Sequence, residues 1–92
     1  MLDRTNTNST ERVTQLVRQL MARRSINQSV GYDDVLSERG LSSLDMVNLM
    51  LAVETEFDIK IPDRDMTPSN FRSIAQIDKL VRVLLRSDQQ VG

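Results

Sequence analysis

Three stretches of this chain carry apolar residues at the spacing of a single helix face, and no stretch alternates in the way a half-buried strand requires. Val13, Leu16, Val17, Leu20 and Met21 fall at i, i+3, i+4, i+7 and i+8, the stripe of an amphipathic helix that buries one side. This spacing predicts a first helix over 10–24, with Asn8 and Glu11 placed to form a capping box and Arg23 and Arg24 at the negative end of the helix dipole. Met46, Leu49, Met50, Val53 and Phe57 make a second stripe, and Ile74, Ile77, Leu80, Val81 and Leu84 a third. The second helix should start at Ser42 or Ser43 and end near Phe57, because Pro62 biases Ile61 away from helical geometry. Thr67 before Pro68 can cap a short turn, and Ser73 with Gln76 can box the start of the last helix. The expected fold is all-α: three main helices, a short third helix between the second and the last, and a long first loop.

That loop, residues 25–42, contains Gly31, Gly40 and the turn-forming pair Asp33 and Asp34, yet also carries Ile26, Val30, Val35, Leu36 and Leu41. Structureless connections beyond about 12–15 residues are uncommon in compact domains unless they have a function. The expected organisation is a flexible N-terminus over 1–9, one domain over 10–86 and a flexible tail over 87–92. With 92 residues there is room for one small domain. A chain with neither Cys nor His lacks a thiolate nucleophile, the usual general base and the commonest transition-metal ligands, so no catalytic residue and no metal site are expected. A net charge of -1 gives little support to bulk nucleic-acid binding. The absence of both a signal-like start and a long uncharged apolar run points to a cytoplasmic protein without a membrane segment.

Charge is unevenly distributed: +3 over 1–32, -6 over 33–65 and +2 over 66–92. The acidic third holds the second helix, which is apolar on two sides. Leu44, Val47 and Leu51, at i, i+3 and i+7, form a stripe beside the core stripe. It is either a docking surface surrounded by the acids Asp45, Glu54 and Glu56, or a face that loop 25–42 folds over and buries. At the head of the same helix, Ser42 suits the N-cap and Asp45, three residues on, can reach back to it, which leaves the Ser43 hydroxyl free beside the positive end of the dipole. By spacing alone, a serine pair before an apolar helix is a cap and nothing more.

The run from Gly40 to Asp63, GLSSLDMVNLMLAVETEFDIKIPD, resembles the modification region of acyl carrier proteins, and the helix order agrees over most of residues 10–86. The family motif is Asp-Ser-Leu, its Ser carrying 4'-phosphopantetheine taken from coenzyme A through a phosphodiester. Ser43-Leu44-Asp45 matches, as do Glu56-Phe57-Asp58 and Ile61-Pro62-Asp63. The resemblance implies an acyl-carrier-like four-helix bundle with the arm attached at Ser43, a function as carrier and not enzyme, and a working thiol supplied by the arm. The chain departs from the motif at Ser42, where the family has Asp, and at Asn48, where Glu is common. The same run, with Phe71-Arg-Ser-Ile-Ala-Gln-Ile77, is similar to small stand-alone bacterial carriers that receive an amino acid from synthetase-like ligases.

The implied function is a monomeric carrier that holds an acyl or aminoacyl group as a thioester. Its implied partners are a phosphopantetheinyl transferase, an activating ligase and a downstream transferase. Fatty-acid or polyketide carriage is the alternative cargo. The rival from another class is an unmodified helical adaptor using Leu44, Val47 and Leu51 as groove-fillers. A third possibility, acid-base or metal chemistry at Asp33, Asp34 and Asp45, is the weakest, since solvated carboxylates are the ordinary case.

Overall fold

The computed structural model describes the backbone of residues 9–90 and the side chains of residues 9–86. Three α-helices carry the fold: α1 (Ser9–Arg23), α2 (Ser43–Phe57) and α3 (Ile74–Gln90). Helix α1 packs on both α2 and α3. Asn8, the expected cap of α1, lies outside the described residues. Each apolar stripe points inward. Val13, Val17, Leu20 and Met21 from α1 meet Leu49, Met50, Val53 and Phe57 from α2 and Ile74, Ile77, Leu80 and Val81 from α3 in one core. Burying such side chains at about 1.5–3 kcal/mol each drives assembly of helices too short to be stable alone.

Two helices end by the same device. Ser25 takes a left-handed conformation at φ 57°, and the Ile26 N–H turns back to the Met21 carbonyl at 2.9 Å. At the end of α2, Asp58 does likewise at φ 54°, with the Ile59 N–H on the Glu54 carbonyl at 3.1 Å. Helix α3 runs on to Gln90, past the expected domain end at 86. No Pro or Gly stands between Leu84 and Gln90 to stop it.

The expected short third helix is instead a pair of 3-10 turns, Asp63–Asp65 and Ser69–Phe71. Pro62 and Pro68 lack the N–H groups that a longer helix through this segment would use. Thr67 caps the second turn, its Oγ1 accepting from the Asn70 N–H at 3.3 Å.

The long loop is packed down over its length. It forms a 3-10 turn at Leu36–Arg39, buries Leu36 and Leu41, and reverses at Gly40, whose φ of 103° favours glycine. Two main-chain bonds fasten it to the start of α3: the Leu36 N–H donates to the Arg72 carbonyl at 2.8 Å and the Ala75 N–H to the Tyr32 carbonyl at 2.9 Å. The loop therefore contributes Leu36 and Leu41 to the core. It leaves Leu44, Val47 and Leu51 uncovered, with exposures of 68%, 48% and 54%. Of the two expectations for that stripe, the exposed face is the one observed.

A second anchor is a buried carboxylate. Asp78 on α3 accepts from Ser9 Oγ, from Thr10 Oγ1 at 2.5 Å and from Tyr32 Oη at 3.0 Å, and Arg82 lies 3.1 Å away. Burial alone would raise its pKa. The hydroxyl donors and Arg82 outweigh burial and hold it below the ordinary carboxylate value. The same bond pushes the Tyr32 phenol up, with burial adding to the effect. One side chain thus ties the start of α1, the long loop and α3 together.

Candidate functional site

Helix α2 begins with a complete capping box. Ser42 Oγ accepts from the Asp45 N–H at 3.2 Å, and Asp45 Oδ2 accepts from the Ser42 N–H at 2.8 Å and from its hydroxyl at 3.0 Å. Ser42 is thereby fully occupied as a cap. Ser43, the first helical residue, is exposed, and its hydroxyl has no hydrogen-bond partner among the described residues. Beside it lie first-turn N–H groups without an intrahelical acceptor, a place where an anion gains from both hydrogen bonding and the dipole. The division of labour expected from spacing, with one serine capping and its neighbour free, is the arrangement found.

Asp45 is not a surface acid. It is buried, and both carboxylate oxygens accept from Arg24 Nη1, at 2.5 and 2.6 Å. The Ser42 backbone N–H, helped by the Ser42 hydroxyl and Arg24, holds its carboxyl below the usual range against the opposing effect of burial. Its role is to fix the start of α2. The other acids expected around the exposed stripe are also engaged elsewhere. Glu54 Oε2 accepts from the Ile61 N–H at 2.7 Å, which ties the loop after α2 back onto the helix. Glu56 pairs with Arg12 of α1 at 2.8 Å, and the same guanidinium lies 4.3 Å over the Phe57 ring. The outer α2 face presents Leu44, Val47 and Leu51 interspersed with uncharged Ser43, Asn48 and Thr55, all exposed, while Glu54 and Glu56 stand on the same helix engaged in these contacts. Helical spacing places an acid beside the stripe but says nothing about long partners arriving from α1 or from the following loop.

A groove of about 310 Å³ opens beside Ser43, between the long loop, the start of α2 and the turn before α3. Its floor includes Val35, Leu41, Met46 and Phe71, and its rim Ser37, Ser42, Ser69 and Arg72. The reading of the sequence did not single out Arg72 as a site residue. The available signal was a cation two residues before α3, but its proximity to Ser43 depends on how loop and turn pack.

These residues suit a 4'-phosphopantetheine group. Ser43 offers an accessible, unengaged hydroxyl, the helix start can accommodate a phosphodiester, and the groove is lined by both apolar and hydroxyl-bearing side chains, as the arm carries both methylenes and amides. When bound, the group supplies a thiol that carries an acyl group as a thioester.

A domain of three helices with a long, packed first loop and an exposed serine at the head of its central helix defines a carrier protein. Residues 11–80 match the family described as phosphopantetheine attachment site, and the chain belongs to that family of phosphopantetheine-binding carriers, which are not catalysts. It is 38% identical over 81 residues to aminoacyl carrier protein 1 of Bradyrhizobium diazoefficiens, a match spanning 88% of this chain and 90% of the relative. The fold is similar to a chain in the crystal structure of Bradyrhizobium japonicum glycine:[carrier protein] ligase complexed with its cognate carrier protein and an analogue of glycyl adenylate. That match has a TM-score of 0.69 and 38% identity, covering 80% of this chain and 96% of that one. A chain in the same ligase's structure with glycylated carrier protein matches with a TM-score of 0.67 and 38% identity, over 77% and 96%. Among the described residues no helix is long and apolar enough to cross a membrane.

Proposed function

We propose that Ser43 is the attachment residue and that the holo-protein carries an amino acid as a thioester, loaded by a synthetase-like ligase. The observation that supports Ser43 is its free hydroxyl at the head of α2, next to a Ser42 that the capping box already uses. Attachment joins Ser43 Oγ to the phosphorus of the pantetheine arm, breaks the pyrophosphate bond of coenzyme A and releases 3',5'-ADP. Ser43 gives up its hydroxyl proton in this step to a base of the transferase. The amino-acid cargo is supported by the similarity to an aminoacyl carrier protein and to chains solved with a glycine ligase.

The partner surface is the outer face of α2. Leu44, Val47 and Leu51 supply contact area, and the neutral residues between them carry no charge that must be desolvated. Asp45, Glu54 and Glu56 contribute by holding α2 in place. The test is to incubate the pantetheinylated protein with a glycine:[carrier protein] ligase, ATP and labelled glycine, in parallel with an acyl-activating ligase and labelled fatty acid. Hydroxylamine-labile label from glycine in the wild type, absent in Ser43→Ala, is the expected result. Label from fatty acid alone overturns the cargo assignment.

A further inference from the structure

We infer that Arg72 is a positioning residue for the arm, pairing with the phosphodiester at Ser43; the inference rests on Ser43 being the attachment site. Arg72 and Ser43 line the same groove. Arg24 is held by Asp45 and Arg39 by Asp34 at 3.3 Å. Arg72 has no acidic partner among the described residues, and no Asp or Glu lines the groove. A guanidinium facing an acid-free groove will pair with an anion introduced there, because a bidentate arginine–phosphate contact is among the stronger charge-assisted hydrogen bonds.

The backbone holds this cation where it is needed. The Arg72 carbonyl accepts from the Leu36 N–H at 2.8 Å and its own N–H donates to the Ser69 carbonyl at 3.4 Å, so position 72 is fixed between the long loop and the turn before α3. Those bonds engage the backbone of Arg72, and its side chain makes no hydrogen bond or ion pair among the described residues. The chain also lacks the acid that the family motif places before the modified serine, having Ser42 there. An anion at Ser43 therefore meets the helix start and Arg72, and the nearby Asp45 carboxylate is already paired with Arg24. The result is an arm tethered at its phosphate end, with its thiol end left free to reach partners.

The experiment compares apo and holo protein by NMR, with conversion verified by intact mass. On attachment, the Arg72 Nε–Hε resonance is expected to shift, while that of Arg18, which lines a different groove, stays in place. In Arg72→Gln the ³¹P resonance of the holo-protein is expected to move toward that of a solvent-exposed phosphodiester, and Arg72→Lys should restore part of the wild-type value. Amide spectra of each variant report whether the fold is kept. Mass gain with an unmoved Arg72 resonance, or a ³¹P signal identical in wild type and Arg72→Gln, overturns the role of Arg72 and leaves attachment at Ser43 standing. Failure of Ser43 to gain mass overturns both.

Discussion

Replacing Asp45 by Asn separates the two tasks this carboxylate performs. It accepts from the Ser42 N–H, the Ser42 hydroxyl and, through both oxygens, Arg24. Losing half of the capping box costs about 1 kcal/mol. Arg24 is half exposed, so water can solvate it once its partner is neutral, and the pair adds only about 1 kcal/mol more. Placing an amide NH2 where a buried acceptor stood adds a further desolvation cost of about 1 kcal/mol. The sum, about 3 kcal/mol, lowers the melting temperature of a domain this size by roughly 12–24 °C. Arg24→Ala, which leaves the box intact, should cost about 1 kcal/mol. Thermal unfolding followed by circular dichroism at neutral pH measures both. The acid side gives an independent check. The folded pKa of Asp45 lies below the ordinary value of 3.8, so its contribution is present above about pH 4 and is lost as pH falls through the depressed folded value. Wild type and Asp45→Asn should therefore converge in stability in acid. A melting temperature for Asp45→Asn within about 3 °C of wild type, or one higher than that of Arg24→Ala, would refute the reasoning.

Phe57 is 6% exposed and sits beneath the Arg12 guanidinium; Phe57→Ala should cost about 3–5 kcal/mol, read from the denaturation midpoint. Asp78, also held below the ordinary carboxylate value, ties three segments, so Asp78→Asn should loosen amide protection in the long loop around Tyr32 and at the start of α1 together, as hydrogen exchange would show. Leu51→Ala should weaken ligase association by about five- to tenfold, from about 1–1.4 kcal/mol of lost apolar burial. Because Leu44, Val47 and Leu51 are the exposed contact residues and Glu56 is already paired with Arg12, raising salt from about 0.05 to 0.5 M should change that association by less than about twofold; a steep salt dependence would place charged groups in the interface.

Local chemistry in this chain could be read directly from residue order. The stripes of all three helices, the Ser42–Asp45 box and the free Ser43 follow from spacings of three and four, because a helix brings those positions together whatever the rest of the molecule does. The destinations of long side chains could not be read in this way. Asp45 turned inward because Arg24 arrives from the end of α1, 21 residues away, and Glu56 is neutralised by Arg12 across 44 residues. The long loop left Leu44, Val47 and Leu51 bare because its own apolar residues, Leu36 and Leu41, were drawn into the core and its backbone bonded to α3. Arg72 reached the groove of Ser43 through that same packing.

The central claim is that one hydroxyl, Ser43 Oγ, takes the arm, and intact mass tests it most directly. Wild type, Ser42→Ala and Ser43→Ala are each incubated with coenzyme A and a broad-specificity phosphopantetheinyl transferase. Wild type and Ser42→Ala should each gain a single phosphopantetheinyl group, the latter on a helix destabilised by about 1 kcal/mol, and Ser43→Ala should gain none while keeping its helical content. Mass gain in Ser43→Ala, or its loss in a folded Ser42→Ala, would contradict the account.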